Sequence, residues 1–237
     1  MLETIIEYSH EGSTFEGFLC YDETHRGRAP GVLISHAWAG RSEFECNKAR
    51  ALAARGYVCF ALDLYGKGVL GENPEKNAAL MQPFLDNRPK LQGRLKVALA
   101  TFAAQPMVDA TRIAAMGFCF GGLCVLDMAR SGADVRGVVS FHGLLNKPGN
   151  TDGQPISAKV LVLHGHDDPM CPVSAVNAFE TEMTAAGADW QVHTYGNTVH
   201  SFTNPVANDT SRGTVYSDSA DRRSWQSLLN FLEEVLA

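Results

Sequence analysis

The run Ala114-Ala115-Met116-Gly117-Phe118-Cys119-Phe120-Gly121-Gly122-Leu123 constrains this chain more than any other. Gly117 and Gly121 stand two positions either side of Cys119, in the pattern G-x-C-x-G. At that spacing a strand can turn straight into a helix, because no Cβ branch blocks their close approach. The flanks agree: Arg112 to Met116 is a short apolar run of buried-strand type, and Leu123 to Arg130 suits a helix stopped near Gly132. Such a turn lifts the residue at its tip clear of the backbone, so the segment reads as a nucleophile elbow carrying a thiol. A free cysteine that merely fills core space gives the same match, and the reading therefore depends on partners elsewhere in the chain.

Those partners occur in order. An acid follows a hydrophobic strand in Val160-Leu161-Val162-Leu163-His164-Gly165-His166-Asp167-Asp168-Pro169, and a histidine sits in a late loop, Gly196-Asn197-Thr198-Val199-His200-Ser201-Phe202. Nucleophile, acid, histidine is similar to the chain order of α/β-hydrolases and unlike that of the chymotrypsin or subtilisin folds. A thiolate attacks acyl carbon far better than a thiol, so Cys119 needs His200 to take its proton, and His200 needs an acid to fix its tautomer. Asp168 is the preferred acid because it opens D-P-x-x-P, whose prolines stiffen the loop. Asp167 is its rival, and the sequence does not separate neighbours cleanly. For an oxyanion site, the backbone N–H groups of Phe120 and, in Ser35-His36-Ala37-Trp38-Ala39-Gly40, of Trp38 are the candidates.

From about residue 30 onward strand-like and helix-like segments alternate, the signature of a mainly parallel sheet covered by helices on both faces. Before that, Glu3 to Tyr8 and Thr14 to Tyr21 read as an antiparallel edge hairpin around Gly12. Expected helices are Phe44 to Arg55, Pro74 to Asp86, Leu91 to Ala104, Val173 to Ala186 and Ala220 to Leu236. The later strands are expected at Val135 to Ser140, Lys159 to His164 and Trp190 to Tyr195. No internal repeat divides residues 1–237, which read as one domain large enough for a single core.

A net charge of -6 without any lysine or arginine run argues against nucleic acid or an anionic membrane as partner. The acidic N-terminus lacks the pattern of a signal peptide, and six cysteines without disulfide-scaffold or zinc spacing read as reduced thiols. The expectation is a cytoplasmic protein, monomer or homodimer, with no cofactor and a small-molecule ester or lactone as substrate.

The phrases H-A-W-A-G at His36 to Gly40, D-L-Y-G at Asp63 to Gly66, G-F-C-F-G-G at the elbow, the acid loop and H-S-F at His200 to Phe202 together resemble the dienelactone hydrolase family of α/β-hydrolases. The resemblance runs nearly end to end. It implies a Cys119, Asp168, His200 triad and metal-free hydrolysis of an ester or lactone through an acyl-cysteine. Two positions depart from that family. Ala37 stands where dienelactone-cleaving members carry a glutamate that hydrogen-bonds the resting thiol, and Asn204 stands in the run where they carry an arginine for the substrate carboxylate. Losing a fixed guanidinium removes a bidentate clamp, which favours a neutral or aromatic ester and admits activated phosphotriesters as a promiscuous substrate. Ala37, Tyr65, Phe202 and Asn204 are the expected pocket residues.

Three rival readings come from the same residues. Gly66-Lys67-Gly68-Val69-Leu70-Gly71 matches G-x-G-x-x-G, but Glu72-Asn73-Pro74 does not continue a helix from its third glycine. His164-Gly165-His166-Asp167-Asp168 opens like a binuclear metallohydrolase signature, with Pro169 where another histidine belongs. A non-catalytic binding protein on the same fold is the third.

Overall fold

The computed structural model describes residues 1–237. Eight strands form one sheet: β1 (Leu2–His10), β2 (Ser13–Tyr21), β3 (Ala29–Ser35), β4 (Val58–Ala61), β5 (Val108–Phe118), β6 (Gly137–Phe141), β7 (Lys159–Gly165) and β8 (Trp190–Tyr195). Their spatial order is β1-β2-β4-β3-β5-β6-β7-β8. β1 pairs antiparallel with β2, and β2 antiparallel with β4, while every pairing from β4 to β8 is parallel. The edge hairpin and parallel body are thus as the sequence pattern leads one to expect.

The strands alternate between two cores. Leu33, Ala115, Val138 and Val162 face a cluster built with α2 (Pro74–Asp86), α3 (Arg88–Ala103), α4 (Phe120–Arg130) and α5 (Val173–Ala185). Val32, Ile34, Met116, Val139 and Leu163 face the other side, where α1 (Glu43–Ala53) and α6 (Asp218–Val235) pack. Period-2 side-chain alternation in strands apolar on both faces demands two helical layers. Each fully buried Leu, Ile or Phe contributes about 1.5–3 kcal/mol relative to exposure.

Strand order reverses between β3 and β5: the chain leaves β3 towards β4, then returns to place β5 on the opposite flank. The loops after β3 and β5 therefore diverge and leave a crevice at the carboxyl ends of the strands, the place where open α/β sheets take ligands. A short hairpin, β9 (Asn208–Asp209) with β10 (Thr214–Val215), lies outside the main sheet; its two-residue strands carry no periodicity to read. No helix is long and apolar enough to cross a membrane.

Candidate active site

Cys119 sits between β5 and α4 with φ 54° and ψ -115°, a left-handed conformation unusual for a residue with a side chain. The two bracketing glycines show why the turn tolerates nothing larger. A Cβ on Gly117 would lie 2.1 Å from the Gly121 carbonyl oxygen, and one on Gly121 would lie 2.2 Å from that of Ser35. α4 begins at once, at Phe120, and the Gly122 and Leu123 N–H groups already bond the Cys119 carbonyl. Of the six free cysteines Cys119 alone is partly exposed.

His200 arrives on the loop after β8. Its backbone N–H donates to Gly213 O at 2.9 Å and its carbonyl accepts Val215 N–H at 3.1 Å, so the β9–β10 hairpin clasps it. Its ring Nδ1 lies 2.7 Å from Asp168 Oδ2, with both side chains buried. Asp168 Oδ1 accepts the Met170 N–H at 2.8 Å, which anchors the carboxylate from behind. Asp167 is exposed and only its backbone is engaged, with Thr198. Of the two neighbours the sequence left open, Asp168 is the one that meets the histidine.

The remaining ring nitrogen, His200 Nε2, is buried and makes no hydrogen bond. Burial opposes a charge on this ring, yet the negative charge available at Cys119 and the hydrogen bond with Asp168 outweigh it and raise the pKa to about 10. The arrangement can hold an imidazolium beside sulfur, or take a proton from it.

A cleft of ≈ 440 Å³ opens over these residues, with Ala37, Trp38, Met170, Asn204 and Val206 among its walls. Two expected pocket residues lie elsewhere. Phe202 has no exposed surface and packs edge-on against His142 and Tyr195, because the left-handed Ser201 turns the chain inward after His200. Tyr65 stands behind the wall: its ring stacks on Phe84 and Phe120, and its hydroxyl donates to Trp38 O at 3.0 Å. Burial pushes that hydroxyl's pKa up, so it remains a donor. Phe120 likewise buries its side chain and offers the site only its backbone. Trp38 N–H, in a turn closed by Gly40 N–H to Ala37 O, donates to no protein atom.

Three neighbours of the cleft escaped the sequence reading. His142 follows β6 directly, with Nε2 2.8 Å from Thr203 Oγ1 and its ring edge-on to His200 at 5.0 Å; burial and the neighbouring His200 hold its pKa well below the usual value, so it is neutral. A histidine at the carboxyl end of a parallel strand was the available signal. Arg212, from the β9–β10 turn, brings a guanidinium to the rim that the run after His200 lacks; Asp209 answers it at 3.8 Å. Asn204 instead caps its own turn through Val206 N–H. Glu45, on α1, is 1% exposed although it lines the cleft.

The rival motifs find no site. His166 is exposed, His164 is buried at the end of β7, and no three His, Cys, Asp or Glu side chains are grouped to hold a metal ion. The Gly66-to-Gly71 loop leads into no helix at its third glycine, and its Gly71 N–H bonds Ala39 O at 2.8 Å, next to the turn of Trp38.

Comparison with known proteins finds relatives of this sequence and of this fold. A crystal structure described as a dienelactone hydrolase-like promiscuous phosphotriesterase, P91, from metagenomic libraries superposes with a TM-score of 0.94 at 33% identity, covering 100% of this chain and 99% of that one. An uncharacterized protein of Caenorhabditis elegans, K02A2.1, is 39% identical over 158 residues, 64% of this chain and 98% of its own length. A putative carboxymethylenebutenolidase of Yersinia pestis is 23% identical over 237 residues, 94% of this chain and 85% of that protein. Residues 15–236 match the family model, and with the α/β-hydrolase sheet and its cysteine elbow in place, the chain belongs to the dienelactone hydrolase family.

Proposed function

We propose that the protein hydrolyses a carboxylic ester or lactone through an acyl-cysteine intermediate, with Cys119 as nucleophile, His200 as proton carrier and Asp168 as the acid that orients it. The observation that carries the reading is the buried 2.7 Å contact between Asp168 and His200, on a ring whose other nitrogen is left free beside an elbow thiol. In the first step sulfur attacks the acyl carbon, and the carbonyl oxygen takes the negative charge between the N–H groups of Phe120 and Trp38. Collapse breaks the carbon–oxygen bond, and the imidazolium gives its proton to the departing alkoxide. In the second step His200 takes a proton from water, hydroxide adds to the thioester, and sulfur leaves as the acid forms.

The cleft interior is mostly apolar, and its rim guanidinium is balanced by Asp209, which supports a neutral ester with an apolar or aromatic arm. Its likeness to a dienelactone hydrolase-like phosphotriesterase supports a second, promiscuous activity on activated phosphotriesters. The test compares p-nitrophenyl acetate with p-nitrophenyl diethyl phosphate, each with and without chelator. Turnover of the acetate unaffected by chelation is expected. Loss of turnover on chelation would overturn the cysteine mechanism, and inertness towards the phosphate alone would remove only the second activity.

A further inference from the structure

Glu45 is the cleft residue whose burial demands a reason. A carboxylate taken out of water is costly unless its oxygens are hydrogen-bonded, and here both are. Oε2 accepts the Ser42 N–H at 2.9 Å and the Ser42 hydroxyl at 2.7 Å, closing a capping box at the start of α1. Oε1 does something a capping box does not require: it reaches back eight residues to accept Ala37 N–H at 3.2 Å.

That contact completes the tethering of one turn. Ala37 O accepts Gly40 N–H at 3.2 Å and lies 2.6 Å from His36 Nδ1; Leu64 N–H donates to the opposite nitrogen of that ring, so Nδ1 carries the proton. Trp38 O accepts the Tyr65 hydroxyl, and Ala39 O accepts Gly71 N–H at 2.8 Å. All three carbonyls are held and so is the Ala37 amide, which leaves the central amides of the turn, Trp38 first, without an acceptor. A fixed donor is worth more to a developing oxyanion than one that must reorient during the reaction.

Resting on the proposed hydrolase reading, we infer that Glu45 is a positioning residue for oxyanion stabilisation: its carboxylate pins the Ala37 amide and thereby aims Trp38 N–H at the oxygen that becomes charged. The contact sits in the first turn of α1, where Glu45 Oε2 also closes the capping box with Ser42. Glu45 thus acts on the transition state more than on the bound ester.

The experiment is a stopped-flow acylation series on p-nitrophenyl butyrate, with Tm measured for each variant. Glu45→Ala is expected to slow acylation about 10- to 100-fold with KM changed less than about twofold, the pattern of a weakened oxyanion donor. Glu45→Gln keeps one acceptor oxygen where the carboxylate has two, so its amide answers either Ala37 N–H or Ser42 N–H and turns an NH2 to the other; its rate should fall between those of the parent and Glu45→Ala. Asn47→Gly, exposed in mid-α1, weakens the same helix away from the turn. It should lower Tm without slowing acylation. If Glu45→Ala fails to fold, Glu45→Asp serves instead, since it keeps the charge and withdraws it from Ala37, and it should be slow. Unchanged acylation in Glu45→Ala or Glu45→Asp, or equal slowing in Asn47→Gly, would overturn the inference while leaving the hydrolase reading intact. Absence of any acylation in the parent would overturn both.

Discussion

Two aspartates are buried against cationic partners in this protein, and they differ in what is left over. Asp127, inside α4, takes Arg88 in a two-pronged contact at 2.7 and 2.5 Å, with Arg130 at 3.6 Å. Arg130 in turn reaches Glu182 and the Leu145 and Asn146 carbonyls, so the network ties α3, α4, α5 and the loop after β6 together. Asp168 also holds a buried partner, yet His200 keeps one nitrogen without a hydrogen bond, in the cleft that Cys119 also lines. A closed network of charges spends its interactions on geometry. An open one leaves a polar atom unanswered, and under the proposed function that atom is the one that moves the proton.

The contrast is broken most strongly by Cys119→Ala, which should remove about 10⁴-fold or more of ester turnover with little change in Tm, since the thiol is not part of either core. Next in size, Asp127→Ala leaves buried guanidinium groups unanswered and should cost about 3–5 kcal/mol in a urea titration. Turnover per folded molecule should stay near the parent's; a large loss there would mean the closed network also serves the chemistry.

Asp168→Asn sharpens the comparison through pH. His200 keeps its proton until pH rises through about 10, so kcat/KM is expected to fall on an alkaline limb there as the imidazolium is lost. Removing the carboxylate should lower kcat/KM about 10²- to 10⁴-fold and move that limb to lower pH; a limb that stays in place would detach Asp168 from the role. Smallest of all, Asp167→Asn should change kcat/KM less than about twofold, because its exposed side chain does not meet His200.

Much of this was legible because particular residues admit few conformations. Asn73-Pro74 starts α2 where the sequence indicates, with Asn73 capping and proline in the first turn, and α2 runs from Pro74 to Asp86 as expected. The elbow helix, by contrast, begins at Phe120 and not at Leu123, since Gly121 and Gly122 are poor helix formers that close packing nevertheless requires there. The triad candidates were found as motifs, each at the end of a strand. Phe202 was misplaced because an aromatic after a histidine says nothing about which way a left-handed Ser201 turns it. Glu45 and Arg212 were missed for a related reason: both approach the cleft through tertiary contacts, from a helix and a hairpin whose sequences carry only their own local signals.

The most direct test of the central claim is time-resolved intact-mass spectrometry of the protein mixed with p-nitrophenyl butyrate, alongside Cys119→Ala and His200→Ala. A transient butyryl adduct mapping to Cys119, absent in Cys119→Ala, with turnover lost in both variants, is the expected result. Turnover that survives Cys119→Ala would contradict the covalent mechanism.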